Sequence, residues 1–229
     1  MCSRMQSPRA IAFDLDGTLI DSRGDIAAAL NHALQENGRG VLPEHVIARF
    51  VGDGATMLCR RATGLPEGHP DVDPILKAYL AYYLEHPTDH TRWMPNAREA
   101  LEELRPYRLA VVTNKPRATT DAVLGSLGVR SLFAVVLAEG DLPERKPSPA
   151  PILWIAKQLG LSPEQLVVVG DGPQDIEAGR AAGARTVGVR NGIPSPRRLE
   201  TAHPDVLIDS LAELRPILLR WGDATVRAR

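Results

Sequence analysis

Short apolar segments alternate with helical segments along most of this chain. The apolar segments are largely β-branched and lack strict alternation of apolar and polar residues, which is typical of strands buried on both faces of a parallel sheet. They cover residues 10–13, 109–112, 134–137, 166–169 and 186–189. Helical segments lie between them at residues 96–104, 117–127, 149–159 and 174–182. The pattern predicts an α/β fold, with a doubly wound parallel sheet and a Rossmann-like core.

The stretch from Gly24 to Thr91 interrupts this alternation because it contains no convincing strand. Helices are predicted there at residues 25–36, 43–50, 55–62 and 74–84. We therefore predict two domains, an α/β core from residues 1–23 and 92–229 and a small α-helical cap from residues 24–91, inserted after the first strand. Ligands of open α/β sheets bind at the carboxyl ends of the strands. A cap inserted at that edge would lie over the site and exclude water.

Composition and charge argue against several classes of partner. The 229 residues carry a formal net charge of -1 without a basic block, so no nucleic-acid partner is expected. The N-terminal residues have no signal-peptide hydrophobic region, and no segment is long enough to span a bilayer. Cys2 and Cys59 have no metal-ligand spacing and are predicted to be reduced thiols. We expect a cytoplasmic protein with no membrane partner, either a monomer or a homodimer.

Polar segments follow the predicted strands at the edge where an α/β sheet binds its ligand. They cover residues 14–22, 113–115, 145–149 and 170–175. The carboxylates of Asp14, Asp16 and Asp171 would repel one another unless a cation lay among them. Mg²⁺ is the natural candidate, since it prefers hard oxygen ligands and often pairs carboxylates with substrate phosphate. The alternative is that one carboxyl stays protonated, as a general acid requires.

Other residues of these segments suit the binding of a phosphoryl group. Lys146 would supply positive charge, and the hydroxyl of Thr113 would donate a hydrogen bond to a phosphoryl oxygen. Gly17 would allow the backbone to approach the anion closely.

Four motifs appear in a fixed order: DLDGTLIDS, VVTNK, the lysine of RKPSP, and VGDGPQD. In this order they resemble the motifs of the haloacid dehalogenase-like superfamily over nearly the whole chain. The helical stretch between the first two motifs resembles the small cap of phosphatases in that superfamily. The resemblance implies a Mg²⁺-dependent phosphoric monoester hydrolase that acts through an aspartyl-phosphate intermediate on a small phosphorylated metabolite.

The same resemblance implies a role for each matching residue. Asp14 would be the nucleophile, and Asp16 would protonate the leaving oxygen and later deprotonate the attacking water. Mg²⁺ would be held by the Asp14 carboxylate, the Asp16 backbone carbonyl and Asp171, with Asp175 close by. For Asp175, capping of the following helix is the alternative.

The resemblance also assigns residues to the phosphoryl group. Thr113 and Asn114 would hold its oxygens, and Lys146 would neutralise charge on the phosphate and the nucleophile. A strand-end role for Thr113 and a turn role for Asn114 are the alternatives.

Three positions separate the branches of the superfamily. The acid Asp16 is not needed by the dehalogenases. The phosphonate hydrolases use a cap lysine as a Schiff base, but the only lysine of the predicted cap, Lys77, lies late in a helix. Ile26 occupies the position at which the sugar-phosphate mutases carry a histidine. Each comparison favours a simple phosphatase.

Within the phosphatases, three segments resemble the phosphoglycolate phosphatase-like group: residues 140–143, 145–151 and 50–55, the last followed by Arg60 and Arg61. These arginines either meet a substrate carboxylate or lie on a solvated face. The resemblance makes 2-phosphoglycolate the first substrate to test. The alternatives are a sugar-phosphate or nucleotide monophosphatase and, more distantly, a phosphosugar mutase or a non-catalytic phosphate-binding module. Gly172 and Gln174 depart from the usual fourth motif, which affects loop geometry more than metal binding.

Overall fold

The computed structural model describes residues 6–190 and 199–226. In these residues the strands are β1 Ala10–Phe13, β2 Ile20–Asp21, β3 Arg92–Trp93, β4 Arg108–Pro116, β5 Val135–Glu139, β6 Leu166–Gly170, β7 Arg185–Val189 and β8 Val206–Ile208. The helices are α1 Arg23–Glu36, α2 Glu44–Ile47, α3 Ala55–Thr63, α4 Val72–Glu85, α5 Ala97–Glu103, α6 Arg117–Ser126, α7 Ala150–Leu159, α8 Pro173–Ala182 and α9 Leu214–Val226.

The main sheet of the described residues has six parallel strands in the order β5-β4-β1-β6-β7-β8. The chain winds outward from β1 to β4 and β5, and then returns to place β6 on the other side of β1. Phe13, the last residue of β1, is in register with Val111 of β4 and Val169 of β6. The strand order therefore reverses beside β1, and ligands of such sheets bind at this switch point.

Both faces of the sheet are covered by helices. Ile11 and Phe13 of β1 lie in one hydrophobic cluster, while Ala10 and Ala12 lie in a second cluster on the opposite face. All four residues are completely buried. Burial on both faces explains why the strand segments of the sequence are almost continuously apolar.

Helices α1 to α4 form a helical insertion between β2 and β3, which pair as a short antiparallel ribbon. Helices α1 and α4 pack against each other. One hydrophobic cluster connects Leu30 of α1 and Tyr83 of α4 with Ile11 of the main sheet. The insertion therefore shares apolar contacts with the sheet, and its assignment as a separate cap domain of residues 24–91 stays a prediction.

A buried carboxylate joins the two ends of the helical insertion. Asp25, in the first turn of α1, accepts hydrogen bonds from the backbone N–H groups of His90 and Thr91, each at 2.8 Å, and from the Thr91 hydroxyl at 2.6 Å. The neighbouring Gly24 has no room for a side chain, since a Cβ atom there would lie 2.7 Å from the Cβ of His90. The contact fixes where the chain leaves the core and where it returns.

We expect Asp25→Asn to lower the free energy of unfolding by about 1–3 kcal/mol. The amide nitrogen of the new side chain cannot accept a hydrogen bond, so at least one of these buried donors would lose its partner. Urea unfolding measures the change. Asp71→Asn, an exposed substitution of the same type, is the control and should have little effect. An equal loss in both variants would contradict the role of Asp25.

Several elements differ from the sequence-based expectations. The ribbon β2–β3 and strand β8 were not predicted, because two- and three-residue strands leave no periodicity to detect. Helix α9 was not predicted either, since Pro216 and Gly222 have low helix propensity and interrupt its sequence. The helix predicted at residues 43–50 is divided into α2 and a 3-10 turn, Ala48–Phe50. In the described part of the chain, no helix combines the length and the apolar character that a membrane span requires.

Candidate active site

Asp14 follows the last residue of β1, at the switch point of the sheet. Its backbone N–H donates to the carbonyl of Val169 at 2.9 Å, which continues the pairing of β1 with β6. Its side-chain Oδ1 accepts a hydrogen bond from the Lys146 Nζ at 2.7 Å. The Asp14 side chain is 10% exposed, so an ion pair in a largely water-free environment fixes the carboxylate.

Lys146 is held by three short contacts. Its Nζ lies 2.7 Å from Asp14 Oδ1, 2.6 Å from Asp175 Oδ1 and 2.6 Å from the carbonyl oxygen of Val112. The ammonium donates hydrogen bonds to Asp14 and Val112 and forms an ion pair with Asp175. Burial lowers the pKa of Lys146, but the carboxylates of Asp14 and Asp175 outweigh it and leave the pKa raised. The lysine is therefore a permanent cation beside Asp14.

Three carboxylates meet at this edge of the sheet. Asp14, Asp171 and Asp175 each offer an oxygen, and these oxygens lie within 4.8 Å of one another. Burial raises the pKa of Asp14 to about 7, although the charge of Lys146 opposes the shift. Burial, together with the charges of Asp14 and Asp175, holds the pKa of Asp171 well above its usual value. One ammonium does not balance three carboxylates, so hard oxygen donors and excess negative charge fit a divalent cation.

The loop after Asp14 approaches Asp171 closely. The hydroxyl of Thr18, a completely buried residue, donates to Asp171 Oδ1 at 2.8 Å. Gly17 has a φ of 89°, and a Cβ atom there would collide with the Asp171 carboxylate. A residue without a side chain is therefore required at this position, because the backbone passes directly beside a carboxylate.

Asp175 makes both a structural contact and an ion pair. Its Oδ2 accepts a hydrogen bond from the backbone N–H of Gly172 at 3.0 Å, so the capping contact considered for it from sequence is present. Its Oδ1 pairs with Lys146, and the residue is completely buried. Asp175 thus orients the lysine and the loop before α8, and its direct binding of metal stays a prediction.

Thr113 and Asn114 lie near the end of β4, on the strand adjacent to Asp14. The Thr113 hydroxyl oxygen accepts a hydrogen bond from the backbone N–H of Lys115 at 3.2 Å. The Asn114 amide donates to the carbonyl oxygens of Gly52 and Lys146 at 3.1 and 3.0 Å, and its Oδ1 accepts from the Lys146 N–H. Asn114 therefore connects the lysine loop with the helical insertion, and its predicted contact with a phosphoryl oxygen stays a prediction.

Asp16 is held on two sides. Ser22 donates its hydroxyl to Asp16 Oδ1 at 2.6 Å, and the Lys115 Nζ lies 3.2 Å from both carboxylate oxygens. Lys115 also donates to the hydroxyl of Tyr83 at 2.9 Å, and its Nζ lies 4.3 Å from the centre of the Tyr83 ring. Asp16 and a tyrosine of the helical insertion thus share one buried cation.

A cleft lies between the edge of the sheet at Asp14 and the helical insertion. Its empty space is about 440 Å³, part of which is open to solvent. The floor includes Asp14 and Asp16, and the opposite wall is largely apolar, with Val51, Leu58 and Tyr79.

The two arginines of the helical insertion have partners outside this cleft. Arg61 donates to the carbonyl oxygen of Phe50 at 2.9 Å and forms an ion pair with Asp53. Arg60 lies 3.4 Å from Glu67. Arg61 therefore fixes the loop that contributes Gly52 to the contact with Asn114. Neither arginine lines the cleft. A contact with a substrate carboxylate, one of the two alternatives for these arginines, stays a prediction.

Four site residues were given no role from the sequence: Thr18, Ser22, Tyr83 and Lys115. Thr18 and Ser22 belong to the first motif and Lys115 to the second, so their place beside the predicted site residues was the available signal. Tyr83 had no such signal, because its helical spacing with Tyr79 indicates packing, and both are buried.

Comparison with known proteins matches this geometry to a family. A model of the haloacid dehalogenase-like hydrolases matches residues 11–189. The chain belongs to this family. It is 37% identical over 219 residues to the phosphoglycolate phosphatase of Haemophilus influenzae, covering 92% of this chain and 98% of that protein. It is 36% identical over 215 residues to the phosphoglycolate phosphatase of Pseudomonas putida, covering 91% of this chain and 79% of that protein.

Solved structures of the family have the same fold. The crystal structure of a predicted phosphoglycolate phosphatase from Haemophilus somnus matches with a TM-score of 0.86 and 34% identity, over 93% of this chain and 99% of that one. The structure of CbbY from Rhodobacter sphaeroides in complex with phosphate matches with a TM-score of 0.77 and 25% identity, over 90% of this chain and 96% of that one.

These comparisons confirm three predictions made from the sequence. The chain is a haloacid dehalogenase-like hydrolase, its core is a Rossmann-like α/β sheet, and it is a phosphoric monoester hydrolase. A small phosphorylated substrate follows from that class of enzyme. The acidic triad is the part of the described chain that could hold the metal ion.

Proposed function

We propose that this hydrolase is a Mg²⁺-dependent phosphatase that acts on 2-phosphoglycolate through a phosphoryl group bound covalently to Asp14. One observation carries the proposal. At the switch point of the sheet, the Asp14 carboxylate lies among other carboxylates, is held at 2.7 Å by a buried lysine, and borders the same cleft as Asp16.

In the first step, a carboxylate oxygen of Asp14 attacks the phosphorus atom and the bond to the leaving oxygen breaks. Asp16 gives its proton to that oxygen. Lys146 orients the Asp14 carboxylate and offsets the negative charge that approaches it. Thr113, near the end of β4, contributes its hydroxyl as a donor for the phosphoryl oxygens, and Asn114 holds the lysine loop beside them.

In the second step, water attacks the phosphorus atom and the Asp14–phosphate bond breaks. Asp16, now ionised, takes a proton from the water. The hydrogen bond from Ser22 holds Asp16 in place for both transfers.

The metal would be held by the Asp14 and Asp171 carboxylates and the Asp16 backbone carbonyl, with Asp175 close by. When bound, Mg²⁺ supplies positive charge that draws electrons from the phosphoryl oxygens. Gly17 and Thr18 keep Asp171 in position for this role. The helical insertion acts as the cap, since its residues form the wall of the cleft opposite Asp14.

The relatives support 2-phosphoglycolate as the substrate, because the proteins from Haemophilus influenzae and Pseudomonas putida are phosphoglycolate phosphatases at 37% and 36% identity.

The metal dependence is tested by phosphate release from p-nitrophenyl phosphate. We expect EDTA-treated enzyme to lose at least about 100-fold in rate and to recover when Mg²⁺ is added, since the carboxylates need a cation before they accept a phosphoryl group. Mg²⁺ should also raise the melting temperature of the wild-type protein more than that of Asp171→Asn. An undiminished rate in EDTA would contradict the proposal. A screen of phosphorylated metabolites then separates 2-phosphoglycolate from sugar phosphates and nucleotide monophosphates.

A further inference from the structure

Lys115 is a buried cation that the two chemical steps do not require. Its side chain is 3% exposed, yet the residue lines the cleft between the sheet and the helical insertion. Among the described residues that line this cleft, it carries the only positive charge. A second anionic group on a bound substrate would therefore meet Lys115.

The contacts of Lys115 differ from those of Lys146. The Lys146 Nζ has three oxygens at 2.6 to 2.7 Å: it donates hydrogen bonds to Asp14 and Val112 and forms an ion pair with Asp175. The Lys115 Nζ lies 3.2 Å from both oxygens of Asp16, at the long end for such a bond. Lys146 is thus fixed within the protein, whereas Lys115 makes long contacts with Asp16 that another carboxylate can replace.

We propose that Lys115 is a specificity-determining residue that binds the carboxylate of the substrate. This inference rests on the proposed function, because it assumes a phosphate monoester that also carries a carboxylate. On binding, the substrate carboxylate takes the place of Asp16 as the partner of the Lys115 ammonium. A charged pair of this kind is roughly twice as strong as a neutral hydrogen bond.

Tyr83 positions the lysine for this contact. Its hydroxyl accepts from Lys115 at 2.9 Å, and its ring lies beneath the same ammonium. Because Tyr83 belongs to α4, the helical insertion holds the cation that would recognise the substrate. The contact between Lys115 and Tyr83 therefore couples substrate binding to the position of the helical insertion.

The test compares two phosphate esters of nearly equal size, 2-phosphoglycolate and 2-hydroxyethyl phosphate, in which a hydroxymethyl group replaces the carboxylate. The readout is the ratio of their kcat/KM values. We expect the wild-type enzyme to prefer 2-phosphoglycolate and Lys115→Gln to lower this ratio by about 10- to 100-fold, as expected for loss of one charged hydrogen bond. Most of the change should be a rise in KM for 2-phosphoglycolate.

Two further variants keep the test decisive. Lys115→Arg retains the charge and should keep a preference for the carboxylate, even if Lys115→Gln folds poorly. Lys77→Gln, an exposed lysine of α4, is the matched control and should keep the wild-type ratio.

The outcomes separate this inference from the proposed function. If Lys115→Gln slows both esters equally, Lys115 acts only on Asp16 and the inference is wrong, while the phosphatase remains. If the wild-type enzyme hydrolyses 2-hydroxyethyl phosphate as well as 2-phosphoglycolate, no carboxylate is recognised and the inference is also wrong. If the wild-type enzyme releases phosphate from neither ester nor from p-nitrophenyl phosphate, the proposed function itself fails.

Discussion

Asp14→Asn is expected to lower phosphate release by at least about four orders of magnitude, because an amide cannot form the acyl phosphate. The fold should persist. The Asn side chain keeps an oxygen that can accept from Lys146, and it removes one charge from the crowded acidic triad. Steady-state phosphate release measures the first effect, and thermal melting followed by circular dichroism measures the second.

The control for this variant is Asp73→Asn, at an exposed position in α4, which should keep wild-type turnover. A folded Asp14→Asn protein with a tenth or more of the wild-type rate would show that another group attacks the phosphorus atom.

Lys146→Gln is expected to lose activity and also to lower the free energy of unfolding by about 3–5 kcal/mol. The lysine is 1% exposed in its side chain and lies between the carboxylates of Asp14 and Asp175. Removing it leaves buried negative charge without compensation. Urea unfolding at neutral pH in the absence of Mg²⁺ measures the loss.

Two companion variants define the origin of that loss. Lys157→Gln, at an exposed position of α7, should change stability little. Lys146→Gln combined with Asp175→Asn should recover part of the lost free energy, because the second substitution removes one of the uncompensated charges. If the double variant were less stable than Lys146→Gln by the full cost of Asp175→Asn alone, charge compensation would not be the reason.

The parts of the fold that the sequence predicts are those with strong local patterns. The five predicted strands, β1, β4, β5, β6 and β7, are almost continuously apolar because both faces of the sheet are covered. The helices between them have clear periodicity. We could place Asp14, Lys146 and Asp171 together from the sequence, because each lies in the segment that follows a strand of one parallel sheet. The strand order then brings them to the same edge.

The contacts that could not be predicted are hydrogen bonds of side chains to residues far apart in the sequence. Lys115 reaches Tyr83 of the helical insertion, and Asp25 reaches Thr91 across 66 residues. No periodicity encodes these pairs, since they depend on how the insertion packs against the sheet. Asn114 is a similar case. An asparagine can donate to a phosphoryl oxygen, but in this structure the Asn114 amide donates to the carbonyl oxygens of Gly52 and Lys146.

The central claim is that Asp14 carries the phosphoryl group during turnover. Its most direct test is to quench the enzyme during steady-state hydrolysis of 2-phosphoglycolate, reduce it with borohydride and map its peptides by mass spectrometry. Borohydride converts an aspartyl phosphate to homoserine, so the account predicts homoserine at position 14 and none in enzyme quenched without substrate. Homoserine at a different aspartate, or at none in an enzyme that is turning over, would contradict it.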